Sequence, residues 1–447
     1  MENQMETWNR KRLIHLIIPL VIEQILAVTI GMADTVMVSS AGEAAVSGIS
    51  LVDSINILLI NIFSALATGG AVIGAQYLGK RDRDSACEAA KQLVLSVAAL
   101  SLVIAVFCLF AKDWLLQMIF GKVEQAVMTN AQIYFFLSAL SYPFLAVYNA
   151  GAALFRAMGN SKIPMLISAG MNAINIVGNA ILIFGFHLDV AGAGIASLVS
   201  RIIGCVVVML LIIRPAYEIH IPALFPLKIH WDMIKNIMRI GVPNGFENGM
   251  FQIGKILVQG LISSFGTAAI AANAVAGNIA SLEIIPGSAI GMAVITVVGQ
   301  CIGARDYDGV KKYVKRLMAI TYLSMAILNI PLLFLIPQLV GFYNLSGEAM
   351  QIAYEILLLH GICAIVIWPA SFSLPNALRA ANDVKFTMII AIASMWIFRI
   401  GFSYLLALNL NMGVMGVWIA MIIDWCVRAV FLIWRYMSGK WKTKRYI

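Results

Sequence analysis

An ionisable or amide side chain inside an apolar helix is costly in lipid, so each one marks a pairing or a pathway facing protein or water. Glu23 and Asp34 stand eleven residues apart in one apolar run, three turns of helix and nearly one face. Ser168, Asn172, Asn175 and Asn179 recur at steps of four, three and four, giving one polar ridge on another run. Asp53, Asn56, Ser64 and Thr68 mark a third run, and Ser197, Ser200 and Arg201 a fourth. The second half carries Glu247, Gln252 and Lys255 together, then Arg399, and then Asp424 with Arg428.

One carboxylate among amide and hydroxyl groups can hold an alkali cation or a proton, or it can serve as a helix-packing network. Asp34 with Asn175 and Asn179 is read here as a cation or proton site, ahead of packing alone. Glu23 and Glu247 each follow a proline by four residues, so satisfying backbone freed by the proline stands level with transport chemistry. Asn56, Asn172, Gln252 and Lys255 join these glutamates as residues that would line a cavity. Arg201, Lys255, Arg399 and Arg428 read as partners of Asp424 or of the glutamates ahead of substrate contacts. Asp53, Glu283 and Glu355 fall near outer helix ends, where water would solvate them.

Composition sets the class of element that positions these groups. The chain is 61% hydrophobic and 12% charged, with a mean hydropathy of +0.90, beyond the range of a soluble domain. Twelve apolar runs reach the roughly 20 residues a helix needs to cross a bilayer. They lie near 13–38, 46–78, 92–111, 129–155, 163–184, 190–214, 240–265, 270–302, 316–341, 351–378, 386–408 and 413–436, and are called spans 1 to 12. Several exceed one crossing, which predicts tilt, kinks or extension past the bilayer. None alternates with a period of two, which excludes a barrel. The expected fold is an all-α polytopic membrane protein.

The chain is also a repeat. Leu13 to Tyr217 returns from Ile237 onward at a shift of 224 residues. Pro19 and Glu23 answer to Pro243 and Glu247; Gln76, Gly79 and Asp82 to Gln300, Gly303 and Asp306; Gly192 and Ala196 to Gly416 and Ala420. With six spans per copy both copies keep one orientation, which predicts two six-helix bundles related by a pseudo-two-fold axis along the membrane normal. The expected division is residues 1–215, a linker over 216–239, and 240–447. Repeats of this kind build carriers with a central site between halves that rock.

Basic residues record topology. The amino terminus, the loops after even-numbered spans and the carboxyl terminus hold 25 of the 31 lysines and arginines. Both termini are therefore expected in the cytoplasm, in a multi-pass protein of the cell membrane. The net charge of +9 is split among seven short segments, a poor match to a nucleic-acid patch. Residues Trp8 to Arg12 read as an interfacial lead-in, since the run that follows is too long for a signal peptide and no small-residue cleavage site follows it. The six cysteines show no metal spacing and read as small apolar residues.

Two motifs fail on inspection. Gly74 to Arg81 approaches a phosphate loop, but Arg81 replaces the magnesium-binding hydroxyl and the segment ends a membrane helix. Asp82-Arg83-Asp84 recurs as Asp306-Tyr307-Asp308, like a metal-chelating pair, yet each copy lies among lysines and arginines, and Ser85 to Glu88 spells a capping box. Gly241, Gly245 and Gly249, spaced by four, predict close helix contact at the start of span 7.

Nearly the whole chain resembles the multidrug and toxic-compound extrusion (MATE) transporters. The resemblance rests on Met32 to Val38, the two helix ends Gly74 to Asp82 and Gly299 to Asp306, Leu154 to Asn160, Ala377 to Ala381, and Val190 to Gly194, in that order. It implies two six-helix lobes in a V shape and a cation-coupled (Na+ or H+) antiporter that exports amphipathic, often cationic organic compounds by alternating access. It further implies an amino-lobe ion site at Asp34, Asn175, Asn179 and Ser197, with Asn179 where many relatives carry a second aspartate. That leaves one formal charge, suited to Na+ and ill suited to a two-carboxylate proton relay. Glu247 lies about one turn early for the carboxy-lobe site of other branches. No cofactor beyond the coupling ion, no enzymatic activity, no nucleic acid and no obligate protein partner are expected; small organic substrates and membrane lipid are. A flippase for lipid-linked precursors, whose cavity would need clustered basic residues, remains the alternative. A membrane-embedded, Mg-dependent lipid transferase, for which only Asp82 and Asp306 offer acids, ranks below it.

Overall fold

The computed structural model describes residues 8–121, 123–222, 228–343 and 345–444, apart from the side chains of 30–36 and 39. Among them there are helices and no strands. Apolar runs in a bilayer must satisfy their own backbone, which leaves the helix as the available form.

The chain divides into two compact units, Met1–Gly245 and Phe246–Ile447. The first holds α1 (Arg10–Ser39), α2 (Glu43–Gly79), α3 (Arg83–Phe120), α4 (Gln125–Ala157), α5 (Lys162–Asn179) and α6 (Asp189–Ile212). Helix α4 packs against α2, α3 and α6, while α5 packs against α6 and α1. Helix α7 (Trp231–Ser263) starts in the first unit and ends in the second. Its start meets α2 backbone to backbone, as the glycine spacing predicts: a Cβ on Gly69 would sit 2.6 Å from the carbonyl oxygen of Ile237, and one on Gly241 3.1 Å from Cα of Leu66.

The second unit continues with α8 (Thr267–Glu283), α9 (Ile285–Gly303), α10 (Tyr307–Gly341), α11 (Gly347–Val366), α12 (Leu374–Ala380), α13 (Val384–Ser394), α14 (Phe402–Tyr404) and α15 (Gly413–Met437). Helix α10 packs against α9 and α11, and α11 against α8. Among the described residues eleven helical stretches are long and apolar enough to cross a membrane, six of them in the first unit. Helix α7, at 33 residues, supplies the twelfth crossing with its apolarity thinned by Asp232, Lys235, Arg239, Glu247 and Lys255.

Two spans break within the chain's apolar runs. Span 8 parts at Ile284 into α8 and α9, and span 10 leaves helical register near Trp368. Pro286 and Pro369 stand just after these breaks, because a proline cannot donate to the ladder. Wider π-turns occupy Ala180–Gly185, Pro369–Ser373, Met395–Gly401 and Leu405–Asn409.

The repeat is visible in the backbone itself. Left-handed residues pair across the copies: Gly42 with Gly266, Arg81 with Arg305, Gly159 with Asn382, His187 with Asn411, and Asp189 with Gly413. The π-turns at Ala180–Gly185 and Leu405–Asn409 pair as well. The aspartates of the suspected metal motif are also matched, as helix caps. Asp82 accepts from the backbone N–H of Ser85 at 3.1 Å and Asp306 from that of Gly309 at 2.8 Å. The cap is thus Asp82, one turn before the box spelled by Ser85. That backbone bond holds the half-buried Asp82 carboxyl below the usual carboxylate range.

Within the first unit, the linker is strapped to α3. Arg83 donates to the carbonyls of Pro215, Tyr217 and Glu218, and Gln92 to that of Lys228.

Candidate functional site

In the first unit the polar ridge of span 5 forms as spaced. Asn175 donates through Nδ2 to Ser197 Oγ of α6 at 3.0 Å, and Asn179 donates through Nδ2 to Asn175 Oδ1 at 3.2 Å. Asn175 is 6% exposed and Asn179 1% exposed, so this is a string of amide and hydroxyl groups inside the unit. One turn earlier Asn172 donates to the Leu26 carbonyl of α1 at 3.4 Å. The string ends at the π-turn Ala180–Gly185, a geometry that widens the helix and is found often where function is. Asp34 lies on α1, the helix packed against α5; its side chain is outside the described residues.

Other polar groups of this unit serve a neighbouring network. Asn56 is buried, accepts from Tyr142 Oη at 2.8 Å, and donates to Asp53 at 3.1 Å and Ser138 at 3.3 Å. Both ends of its amide are therefore spent between α2 and α4. Arg201 donates to Ser141 of α4 at 2.5 Å.

Glu23 and Glu247 occupy equivalent places and make equivalent bonds. Glu23 pairs with Arg156 at the end of α4, N to O 2.5 Å, and Glu247 with Arg379 at the end of α12, 2.7 Å. Each pair pins the first helix of a copy, one turn past its proline, to the conserved-geometry turn at Gly159 or Asn382. Glu247 has a second cation, Arg428 of α15, at 3.6 Å.

The remaining charges of the second unit group around aromatic rings. Lys255, exposed, and Arg399, largely buried, both lie over the ring of Phe251, at 5.9 and 5.1 Å from its centroid. Arg399 approaches Asp424 only to 4.0 Å, and Asp424 is hydrogen-bonded to Ser394. Gln252 is half-buried. Among the described residues no group of three or more histidines, cysteines, aspartates and glutamates is placed to hold a metal ion.

One pair escaped the sequence reading. Glu283 is fully buried instead of solvated at a helix end, and it contacts His360 of α11. Of the five histidines only His15, at the start of span 1, and His360, within span 10, fall in spans, and that was the signal available.

Compared with known proteins, the chain matches the MatE family over residues 19–181 and 243–405, two stretches that are themselves 224 residues apart. The chain belongs to the MatE family. It is a family of transporters, and the protein is a multi-pass membrane protein. The chain is 28% identical to the uncharacterized transporter YisQ of Bacillus subtilis (strain 168) over 437 residues, covering 95% of this chain and 94% of that one. It is 26% identical over 450 residues to the probable multidrug resistance protein NorM of Thermotoga maritima, covering 97% and 94%. The fold superposes on the outward-facing conformation of a multidrug resistance MATE family transporter of the MOP superfamily with a TM-score of 0.90, at 20% identity and 97% coverage of both chains.

Proposed function

We propose that this MatE protein is a cation-coupled antiporter that exports amphipathic, cationic organic compounds across the cell membrane by alternating access, with both termini in the cytoplasm. The observation that carries the reading is the string of buried Asn175 and Asn179 on α5, the helix packed against the one bearing Asp34, with half-buried Ser197 of α6; it ends in a π-turn. One carboxylate with three neutral oxygen-bearing groups matches the hard-oxygen preference of Na+, and the same carboxylate can take a proton instead. The names of the relatives, multidrug resistance proteins among them, support an organic substrate. An ion carrying one charge down 100 mV releases about 2.3 kcal/mol, which sustains a roughly fifty-fold substrate ratio.

The rival readings lose support at named residues. Asp82 and Asp306, the acids a Mg-dependent transferase needs, each accept a backbone N–H as helix caps. Of the basic residues a flippase would cluster, Arg201 is bonded to Ser141 within the first unit. Efflux from vesicles carrying the purified protein, under imposed Na+ or H+ gradients, tests the proposal. Asp34→Asn is expected to abolish gradient-driven export of a lipophilic cation; export equal to the parent's would remove Asp34 from the coupling site.

A further inference from the structure

The second unit places one acid at a break in its own helix. Helix α8 ends at Glu283 and α9 begins at Ile285, with Pro286 in its first turn. The missing N–H of Pro286 interrupts the ladder here. Asn329 of α10 donates through Nδ2 to the Glu283 carbonyl at 3.1 Å, so the interrupted backbone is held by a side chain. The Glu283 carboxyl is 0% exposed, and its Oε2 is hydrogen-bonded to Nδ1 of His360, which is 4% exposed. Its other oxygen, Oε1, has no hydrogen-bond partner among the described residues. Gly361 admits the carboxyl: a Cβ there would stand 3.2 Å from Oε1 and 2.7 Å from Leu333 Cδ2.

Aromatic rings close the remaining side. Trp418 and Trp425 of α15 stand edge-on to the His360 ring, with centroids 5.5 and 5.2 Å away. Helix α8 has no ionisable residue besides Glu283, α9 only Cys301, and α10 none after Tyr322. Helix α11 adds Cys363, in the apolar cluster around Trp425, Glu355, which is bonded to Gln351, the exposed Glu348 of its first turn, and the half-buried Tyr354. On α15, Asp424 is turned to Ser394 and Arg428 to Glu247. Among the described residues no further charged side chain pairs with either group. The first copy has Leu59 where the second has Glu283, so this chemistry belongs to one copy only.

A dry site resists net charge. Glu283 and His360 together are neutral when they hold one proton, whichever of the two carries it. Removing that proton leaves a negative site and adding a second leaves a positive one. Exchange therefore requires water to reach the pair, and the interrupted backbone at Ile284 is the place where the wall can part. We propose that Glu283 and His360 form a proton-binding site of the second unit, loaded and emptied as the α8–α9 break opens, and that this proton is a coupling ion of the transport cycle. The last clause rests on the antiporter reading above; the binding site does not.

Two measurements on the full-length protein in lipid test it. Trp418 and Trp425 report the charge of the imidazole beside them, since an imidazolium quenches indole emission. In nanodiscs the parent is expected to show a pH-dependent emission step that His360→Gln removes and Glu283→Gln displaces along the pH axis. In vesicles, export driven by an imposed pH difference is expected to fall in Glu283→Gln to the level of protein-free vesicles. An emission step unchanged by His360→Gln overturns the proton site, and full pH-driven export by Glu283→Gln overturns its coupling role. If neither parent nor variant exports while the emission step behaves as stated, the antiporter reading fails and the proton site stands. Should Glu283→Gln not fold, the emission titration of His360→Gln against the parent decides alone.

Discussion

Arg156→Gln and Arg379→Gln, at matching places in the two copies, are expected to differ in cost. Both arginines bind a buried glutamate, with 20% and 12% of their side chains exposed. Deleting one partner of a buried ion pair costs about 3–5 kcal/mol, because the other charge is left uncompensated. That is the expectation for Arg156→Gln, where the described residues offer Glu23 no second cation. Glu247 keeps Arg428 at 3.6 Å. At an effective dielectric of roughly 20, that contact has a gross attraction of about 5 kcal/mol, much of it offset by desolvation. Arg379→Gln should therefore cost only about 2 kcal/mol, near the worth of one charge-assisted hydrogen bond. The assay is the temperature at which half of the detergent-solubilised protein leaves the monodisperse peak, with Glu23→Gln/Arg156→Gln closing a double-mutant cycle. Equal losses for the two arginines, or a larger loss for Arg379→Gln, would refute the reasoning. So would strict additivity in the cycle.

Further outcomes follow from other contacts. Gly69→Val should yield little folded protein, because its Cβ meets the Ile237 carbonyl at 2.6 Å; recovery of a monodisperse peak at parental yield contradicts that contact. Asp82→Ala should lower stability by about 1 kcal/mol, the worth of an N-cap, and leave export independent of Mg2+ removal. Since the folded Asp82 carboxyl titrates below the ordinary aspartate value of 3.8, its contribution is present at neutral pH and fades only as pH falls below that value; a thermal-shift difference between parent and Asp82→Ala that persists unchanged at pH 2 contradicts this sign. Asn179→Asp should set a second carboxylate beside Asn175 and move export toward dependence on the pH gradient, read as the ratio of H+-driven to Na+-driven flux.

The spans, the repeat and the polar ridge were legible because they depend on local periodicity. Asn175 and Asn179 lie one turn apart, so their bond follows from spacing alone. Ser197 came to them through the family resemblance, not through its own sequence. The Glu283–His360 contact joins residues 77 apart on different helices, and no local pattern encodes it. The break at Ile284 had a readable cue in Pro286, yet proline is tolerated inside α1, α4, α7 and α10, so the cue is not decisive. Glu283 does end a helix, but the chain continues at once into α9 and α11 brings His360 against it, so the end is buried and not solvated. The π-turns have no composition of their own; they were recognisable only once backbone geometry was in hand.

The matched left-handed turns mean that both copies bend alike even where their side chains have parted: Gly159 answers to Asn382 and Asp189 to Gly413. Counted at the 224-residue shift, the places of Asn175, Asn179 and Ser197 fall on Arg399, Ser403 and Met421. A guanidinium and a thioether there cannot rebuild a nest for an alkali ion. The proposed first-copy site therefore predicts one bound Na+ per chain, and a measured count near two would refute that stoichiometry.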